Sequence, residues 1–349
     1  MLQRIERLLE QIPNESAVFV SSKANVFYYS GFTSEDAYLL ISENKRIIIT
    51  DSRYFIQAQL EAPEFDLVDI SKGWKNVFSA IKERLICFEE ENISYSLFKT
   101  VQGAAPDCYF RCSQKSIDFP RRLKDRDELA IIAEAEKIGD MAFSHILTFI
   151  KPGISERDIA LELETYMKRQ GASDLSFATI AASGVRSAMP HGTASAKIVQ
   201  SGELLTLDFG CVYKGYCSDM TRTVMIGPPD SKQKEIYEIV LKAQTKAING
   251  LYEGISCFEA DKIARDVIVE AGYGKNFSHS LGHSVGIQVH ERPVFSPKSE
   301  DFLQNGNVMS VEPGIYIEGW GGVRIEDLIA VFDGQIINLS KSTKELIVI

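Results

Sequence analysis

The C-terminal two thirds of the sequence repeats part of its own pattern. The tripeptide Gly-Ile-Ser occurs at 153–155 and again at 254–256, 101 residues later. Two pairs of carboxylates continue this register at offsets of 104 and 107 residues, namely Asp208 with Glu312 and Asp219 with Glu326. Three nearly constant offsets indicate an internal structural repeat. The repeat predicts two similar α/β halves related by a pseudo-twofold axis, with both carboxylate pairs pointing at one centre.

Hydrophobic periodicity predicts the division of the 349 residues into domains. Residues 1–120 alternate helical and strand patterns and predict an N-terminal α/β domain with a helix from Trp74 to Leu85 after a cap at Ser71. The charged stretch 120–127 begins with a proline and predicts a linker at 121–127. Residues 128–349, which contain the repeat, predict a catalytic domain of α/β (α+β) class.

Each carboxylate pair flanks a glycine-containing turn. The stretch LDFGCVYKGYCSDMTRT holds Asp208 and Asp219, and EPGIYIEGWGGVRIED holds Glu312 and Glu326. We expect the second stretch to form one hairpin, in which 308–311 pairs with 322–329. Its wide turn would use positive φ angles at Gly319, Gly321 and Gly322.

Histidines gather around these acids. Three of the chain's five histidines, His279, His283 and His290, lie within HSLGHSVGIQVHERP, and His191 lies in PHGTAS on the other half. His283, between Gly282 and Ser284, has room to approach a metal. His191 and His290 are expected to line a cleft, and the role of His279 stays open. The fifth, His145, is expected to be a packing or surface residue.

Four carboxylates and one imidazole would carry about −4 in a buried setting, which needs compensating cations. Two divalent ions balance that charge, and carboxylates can bridge metals, so a two-metal site is expected. The oxygen-rich ligand set favours manganese, cobalt or iron, with zinc as an alternative. Such a centre typically catalyses hydrolysis. Arg324 is placed to neutralise a ligand carboxylate or to meet a substrate carboxylate.

Composition excludes several other functions. A net charge of −10 and a pI near 5.2 argue against nucleic acid or an anionic membrane as partner. The N-terminal stretch has helical periodicity rather than the pattern of a signal peptide, and the sequence predicts a cytoplasmic protein. Six cysteines are too few for a disulfide scaffold. Cys108 and Cys112, Cys211 and Cys217, and the pair Asp51 and Arg53 are expected to be structural or surface residues.

Taken together, DFG…GYCSDMTRT, HSLGH…VHE, EPGIY and GGVRIED resemble the pita-bread metallopeptidases over the whole chain. The proline-specific branch, with Xaa-Pro aminopeptidase and Xaa-Pro dipeptidase (prolidase), is the most similar. The resemblance implies a creatinase-type N-terminal domain, a pita-bread catalytic domain, proline-containing peptide substrates and a homodimer. Two positions depart from the usual pattern: Ser284 replaces a common glycine, and Gln288 a frequent glutamate.

The resemblance also implies a role for each site residue. Asp219 and Glu326 would bridge the metals, Asp208 would bind one ion, and His283 with Glu312 the other. Glu312 would also act as general base. His191 and His290 would contact the substrate. Arg324 would support the site.

Other readings remain open at this stage. The sequence does not separate a dipeptidase from an aminopeptidase. A methionine aminopeptidase type is disfavoured by the separate N-terminal domain. Metal-free creatinase chemistry is disfavoured because all four carboxylates are present, and the same completeness argues against an inactive peptide-binding protein.

Overall fold

The computed structural model describes residues 1–34 and 36–349, which form two compact units, Met1–Arg121 and Arg122–Ile349. Residues 121–127, expected to form a linker, contain the end of one helix, three non-helical residues and the start of the next. Within the described residues, no helix has the length and apolar character needed to cross a membrane.

The first unit is an α/β layer structure. Its elements are α1 (Leu2–Leu9), β1 (Ser16–Val20), α2 (Lys23–Ser30), β2 (Tyr38–Ile41), β3 (Arg46–Thr50), α3 (Phe55–Glu61), β4 (Asp66–Asp69), α4 (Trp74–Phe78), β5 (Leu85–Phe88), α5 (Tyr95–Ala104), β6 (Tyr109–Cys112) and α6 (Gln114–Arg122). The six strands form one sheet with parallel and antiparallel pairs, in the order β4-β3-β2-β1-β5-β6. All five residues of β1 are buried, as expected for a central strand covered on both faces.

The predicted helix from Trp74 to Leu85 is wrong in its cap and in its C-terminal end. Ser71 lies inside a short 3-10 turn whose N-cap is Asp69, and Gly73 interrupts the chain with a φ of 89°. Helix α4 begins at Trp74, as predicted, with Gly73 as its N-cap, but it covers only five residues and ends at Phe78. Leu85 instead starts β5, which pairs in parallel with β1 in the middle of the sheet.

The second unit contains the predicted duplication. Its elements are α7 (Arg126–Phe149), α8 (Glu156–Arg169), β7 (Asp174–Leu175), β8 (Ile180–Ser183), β9 (Glu203–Phe209), β10 (Cys211–Tyr213), β11 (Tyr216–Cys217), β12 (Met220–Ile226), α9 (Ser231–Gly250), α10 (Cys257–Glu270), β13 (Gly282–Ser284), β14 (Glu291–Phe295), β15 (Val308–Val311), β16 (Gly314–Ile317), β17 (Gly321–Arg324), β18 (Asp327–Phe332) and β19 (Gln335–Asn338). The strand order β8-β9-β12 in one half is repeated as β13-β15-β18 in the other.

Each half has its own hydrophobic core, and the second helix of each half begins with the same capping motif. Helices α7 and α8 pack on the first sheet around Phe143, Leu163 and Phe209, and α9 and α10 pack on the second. Ser155 and Ser256 cap α8 and α10 in reciprocal capping boxes with the residue three positions later. The mixed α/β fold with an internal repeat is therefore confirmed.

The strand pairing around the second carboxylate pair differs from the prediction. Strand β15 pairs with β18, and the residues between them form a separate hairpin of β16 and β17. Gly319 and Gly321 have positive φ angles, but Gly322 does not. Gly322 is needed for space instead, since a Cβ there would lie 2.3 Å from the backbone oxygen of Ser187.

Candidate metal centre

The first carboxylate pair lies where β9 and β12 approach each other. Asp208 on β9 is in register with Thr221 on β12, and Asp219 immediately precedes β12. Gly210 permits this close approach because a Cβ there would lie 2.0 Å from the backbone oxygen of Ser218. The intervening residues fold away as β10 and β11. Two acids that are 11 residues apart in sequence are thereby brought together.

The second pair is arranged in the same way. Val311 at the end of β15 is in register with Asp327 at the start of β18, so Glu312 and Glu326 leave the sheet side by side. Glu326 also joins the two halves. Its backbone N–H donates to the carbonyl of Thr221 at 3.1 Å, and the Thr221 hydroxyl donates to its Oε2 at 2.6 Å.

All five predicted ligands meet at this junction. One carboxylate oxygen from each of Asp208, Asp219 and Glu326 lies within 4.8 Å of the others. The Nε2 atom of His283 lies 3.6 Å from Asp219 Oδ2 and 3.3 Å from Glu312 Oε1. The two halves thus contribute side chains to one acidic cluster.

The electrostatics of the cluster show strong mutual repulsion. Burial, followed by the charge of Glu326, raises the pKa of Asp219 well above its ordinary value. Burial and the charge of Glu312 do the same to the pKa of Glu326. Burial alone would also raise the pKa of Glu312, but the hydrogen bond and charge of His283 lower it. Buried carboxylates that raise one another's pKa are groups whose ionised form a bound cation would stabilise.

The donor set fits divalent metal ions. Oδ1 of Asp208 and Oε1 of Glu326 are buried and have no hydrogen-bond partner among the described residues. Unpaired buried carboxylate oxygens are costly, and a divalent cation is the partner that satisfies them. Carboxylate oxygens with one imidazole nitrogen suit hard or borderline divalent ions. The residues present therefore match a metal centre better than a solvated acidic surface.

Arg324 contacts a predicted ligand. Its Nη2 donates to Asp208 Oδ2 at 2.6 Å, its Nε to the hydroxyl of Thr221 at 3.0 Å, and its Nη1 to the hydroxyl of Tyr316 at 2.8 Å. Nη1 also donates to the carbonyl of Pro190 at 3.3 Å. Of the two expected roles, the structure supports neutralisation of a cluster carboxylate.

His279 and Tyr316 continue this network. The Tyr316 hydroxyl lies 3.0 Å from His279 Nε2, and His279 Nδ1 lies 2.8 Å from the carbonyl of Ser280. Because a carbonyl only accepts, Nδ1 carries the proton and Nε2 accepts from the Tyr316 hydroxyl. Burial lowers the pKa of His279, which agrees with this neutral form. His279 therefore orients Tyr316, and through it Arg324.

His191 and His290 lie at the exposed side of the cluster. The ring of His290 is 4.4 Å from that of His283, and both His290 and His191 are exposed. Burial and the charges of His283 and His191 lower the pKa of His290. Pro190, next to His191, is tied to Arg324 through its carbonyl. Both imidazoles are thus available to a molecule that enters from solvent.

Three supporting residues could not be picked out as part of the site from the motifs alone: Tyr316, Thr221 and Glu136. Glu136 is fully buried on α7, where it accepts from the backbone N–H of Asp219 at 3.3 Å. Burial raises its pKa to about 8. A signal for Glu136 existed, because it falls on the apolar face of α7 with Ile132 and Phe143. An acid within an apolar stripe indicates a buried polar contact.

The remaining candidates lie outside the centre. His145 contacts Glu162 at 2.6 Å and stacks on Tyr166, which is a packing role. All six cysteines are free, and the one acidic or cysteine-containing group in the described chain with metal-ligand spacing is the Asp208 cluster. Asp51 and Arg53 form a surface ion pair at 2.7 Å, as expected.

The fold and the acidic centre together define a metallopeptidase. Residues 130–333 match the model of metallopeptidase family M24, and residues 2–119 match that of the creatinase/prolidase N-terminal domain. The chain belongs to metallopeptidase family M24. Membership implies divalent metal ions at the acidic cluster, and it confirms the predicted family.

Individual relatives match the chain over its full length. It is 36% identical to the Xaa-Pro dipeptidase of Pyrococcus furiosus, over 99% of this chain and 100% of that protein. It is similar to the solved Xaa-Pro dipeptidase from Bacillus anthracis, with a TM-score of 0.96 and 41% identity over 100% of this chain and 99% of that one. The X-Pro aminopeptidase from Thermotoga maritima gives a TM-score of 0.91 and 38% identity over 99% and 100%.

Proposed function

We propose that this protein is a metal-dependent exopeptidase that hydrolyses the bond between an N-terminal residue and a following proline. The observation that carries this proposal is the convergence of four carboxylates and one imidazole at the junction of the two halves. The printed activities of its full-length relatives, Xaa-Pro dipeptidase and X-Pro aminopeptidase, support the substrate class.

The proposed centre holds two divalent ions. Asp219 and Glu326 would hold both ions, Asp208 would hold one, and His283 with Glu312 would hold the other. Asp219 and Glu326 suit the bridging role because they come from different halves and each has a carboxylate oxygen within 4.8 Å of the other and of Asp208. When bound, the ions supply Lewis acidity toward the peptide carbonyl and lower the pKa of a water.

Protein side chains carry the remaining steps. Glu312 accepts a proton from the attacking water and delivers it to the proline nitrogen as the bond breaks. His191 and His290, exposed beside the cluster, contact the substrate carbonyl and the leaving nitrogen. Arg324 favours the ionised form of Asp208 through their 2.6 Å contact.

Proline selectivity follows from the chemistry of the bond. An Xaa-Pro amide has no N–H, and its ring excludes it from clefts built for secondary amides. A cleft shaped for the proline ring accepts the Xaa-Pro bond. Substrates that lack the ring leave part of the cleft unfilled and bind it less well. The preference for a dipeptide or a longer peptide depends on what closes the far end of the cleft, and relatives of both types are similar to this chain.

Hydrolysis of short peptides tests the proposal. The protein, reconstituted with manganese, is assayed on Ala-Pro, Ala-Pro-Ala and, as the matched control, Ala-Ala. We expect release of alanine from at least one proline peptide at a rate far above that on Ala-Ala. The ratio of the two proline rates assigns the subtype, whereas no cleavage of either peptide by the metal-loaded protein contradicts the function.

Three finer features stay predictions. Manganese is the preferred ion because the ligands are mostly hard oxygens. A homodimer and a cytoplasmic location are predicted from the sequence and its resemblance. Metal content of the purified protein, its mass in solution and cell fractionation test them in turn.

A further inference from the structure

Two buried carboxylates outside the metal cluster lie on the second helix of each half, at different positions along it. Glu156 is the first residue of α8, and Asp261 lies in α10. Both helices are the second helix of their half and begin with the same Gly-Ile-Ser capping sequence. The Glu156 side chain is 0% exposed and that of Asp261 is 1% exposed. Buried carboxylates are retained only where several donors satisfy them, so their partners indicate what they hold.

Glu156 joins the two ends of the segment that carries His191. Its Oε1 accepts from the backbone N–H and hydroxyl of Ser183, the last residue of β8, at 2.8 and 2.9 Å. Its Oε2 accepts from the backbone N–H and hydroxyl of Ser195 at 3.1 and 2.6 Å, and from Arg186 Nε at 2.9 Å. Five hydrogen bonds thus close residues 183–195 into a fixed loop around one carboxylate.

This loop is also attached to the hairpin of β16 and β17, which carries Arg324. Arg186 Nη2 donates to the carbonyl of Thr193 at 2.7 Å, across the loop from its own backbone. The Ser187 hydroxyl accepts from the N–H of Gly322 on β17 at 2.8 Å. The position of His191 relative to Arg324, whose Nη1 donates to the carbonyl of Pro190, therefore depends on the loop that Glu156 closes.

Asp261 holds a different part of the centre. Its Oδ1 accepts from the backbone N–H of Leu281 at 3.0 Å, and both of its oxygens accept from Arg265 at 2.6 and 2.9 Å. Arg265 in turn donates to the carbonyls of Phe277 and His279 at 3.0 and 2.8 Å. The carbonyl of Leu281 accepts the backbone N–H of Glu312 at 2.8 Å.

Asp261 therefore supports the backbone that places two proposed metal ligands. Leu281 directly precedes β13, whose second residue is His283, and its carbonyl binds Glu312. Strand β13 occupies in its sheet the place that β8 occupies in the first sheet. Glu156 holds the chain leaving β8, and Asp261 holds the chain entering β13. In both halves, a buried helix carboxylate paired with an arginine holds a segment of backbone. In the first half that segment carries His191, and in the second it leads to His283.

We propose that Glu156 and Asp261 are positioning residues with separate effects: Glu156 fixes the substrate-facing His191 loop, and Asp261 fixes the metal ligands His283 and Glu312. The inference rests on the proposed function for the role of His191, and on the proposed ligand set for Asp261. Outer partners of this kind typically alter metal affinity or activity by about 10- to 100-fold.

Two variants measured with two readouts test the separation. Glu156→Gln and Asp261→Asn keep the side-chain size but replace a carboxylate, whose two oxygens both accept hydrogen bonds, with an amide that has one acceptor oxygen and one donor NH₂ group. Calorimetric titration of the metal-free proteins with manganese gives metal affinity, and Ala-Pro hydrolysis at saturating manganese gives kcat and KM. Glu164→Gln on α8 and Glu270→Gln on α10, both outside the centre, serve as matched controls.

We expect Glu156→Gln to bind manganese within about twofold of wild type but to lose about 10-fold or more in kcat/KM. Asp261→Asn is expected to lose about 10-fold or more in manganese affinity. Equal effects of the two variants on manganese affinity would overturn the proposal. So would wild-type values for both variants in both assays.

Two further variants keep the test valid if either carboxamide protein does not fold. Ser195→Ala removes one donor to Glu156, and Arg265→Lys removes the forked contact to Asp261; each is expected to show a smaller effect of the same kind. If wild type binds manganese but does not cleave Ala-Pro, the proposed function fails. The calorimetric comparison then still decides the role of Asp261, and calorimetric binding of Ala-Pro decides that of Glu156.

Discussion

Arg324 Nη2 lies 2.6 Å from Asp208 Oδ2, in an ion pair that connects the two halves of the duplicated unit. Arg324 ends the hairpin strand β17 of the second half, whereas Asp208 lies on β9 of the first. Burial raises the pKa of Asp208, and the charge of Arg324 opposes that effect. The duplication therefore supplies more than symmetric ligands, because a cation from one half keeps an acid of the other available for metal.

Gly210→Ala tests the close approach that assembles the first carboxylate pair. The added Cβ would lie 2.0 Å from the backbone oxygen of Ser218, so the chain before Asp219 must move away from β9. We expect manganese affinity to fall by at least about 10-fold. Gly103→Ala on α5 is the control, since a Cβ there meets nothing within 4 Å. Wild-type affinity in Gly210→Ala would refute this account of the glycine.

Tyr316→Phe removes the hydroxyl between Arg324 and His279. We expect a loss of about 1–3 kcal/mol in the free energy of unfolding, because buried polar partners lose a hydrogen bond, and a fall of about 10-fold in kcat/KM. Tyr237→Phe is the matched control, since its hydroxyl donates at 2.8 Å to the carbonyl of Lys344. It should lose stability and keep activity; an equal loss of activity in both variants would argue against a role for the Tyr316 network.

Glu312→Gln separates proton transfer from packing at the cluster. The amide cannot accept a proton, so turnover should fall by about 10²–10⁴-fold even when metal is in excess. Glu318→Gln, exposed on the same hairpin, should turn over at the wild-type rate. Initial rates on Ala-Pro at saturating manganese provide the measurement. Near-normal turnover of the metal-loaded Glu312→Gln protein would exclude Glu312 as the base.

Glu156 predicts a pH-dependent contribution to stability. Burial alone would raise its pKa, but hydrogen bonds from Ser195 and Ser183 and the charge of Arg186 lower it below the ordinary value. A lowered folded-state pKa means that the stabilisation is present above about pH 4.5 and is lost as pH falls through the folded-state pKa. The stability difference between wild type and Glu156→Gln should therefore be largest near neutral pH and shrink in acid.

Urea unfolding of the metal-free proteins at a series of pH values measures this difference. Glu164→Gln, on the same helix, should show no comparable trend. A difference between wild type and Glu156→Gln that stays constant or grows as pH falls would contradict the ionised, multiply hydrogen-bonded state of Glu156.

The sequence predicted the carboxylates of the centre because a duplicated fold repeats its spacing. Asp208 and Glu312, like Asp219 and Glu326, stand out through their offsets, which local strand or helix preferences cannot produce by themselves. The glycine-containing turn between the members of each pair gave a second, local signal. The α/β class and the capped helices followed from periodicity and from Ser155 and Ser256.

The supporting contacts could not be predicted, because they depend on tertiary approach between distant segments. Tyr316 reaches His279 across 37 residues, and Glu156 reaches Ser195 across 39. The prediction that 308–311 pairs with 322–329 was right only for the part in β18, because a strand pattern shows which residues are extended but not that 321–324 pair with 314–317 instead. The C-terminal end of α4 was mistaken because Leu85, which continues the helical apolar pattern, pairs with Ser16 of β1 in the sheet, and the sequence does not show that partner.

Metal titration coupled to peptide hydrolysis tests the central claim most directly. Metal-free protein is titrated with manganese while bound metal per chain and the rate of Ala-Pro cleavage are followed in the same samples. The account predicts no cleavage without metal and a rate that reaches its plateau at two ions per chain. Cleavage that persists in the metal-free protein would contradict a dinuclear Xaa-Pro exopeptidase. So would a protein with two ions bound that cleaves neither Ala-Pro nor Ala-Pro-Ala.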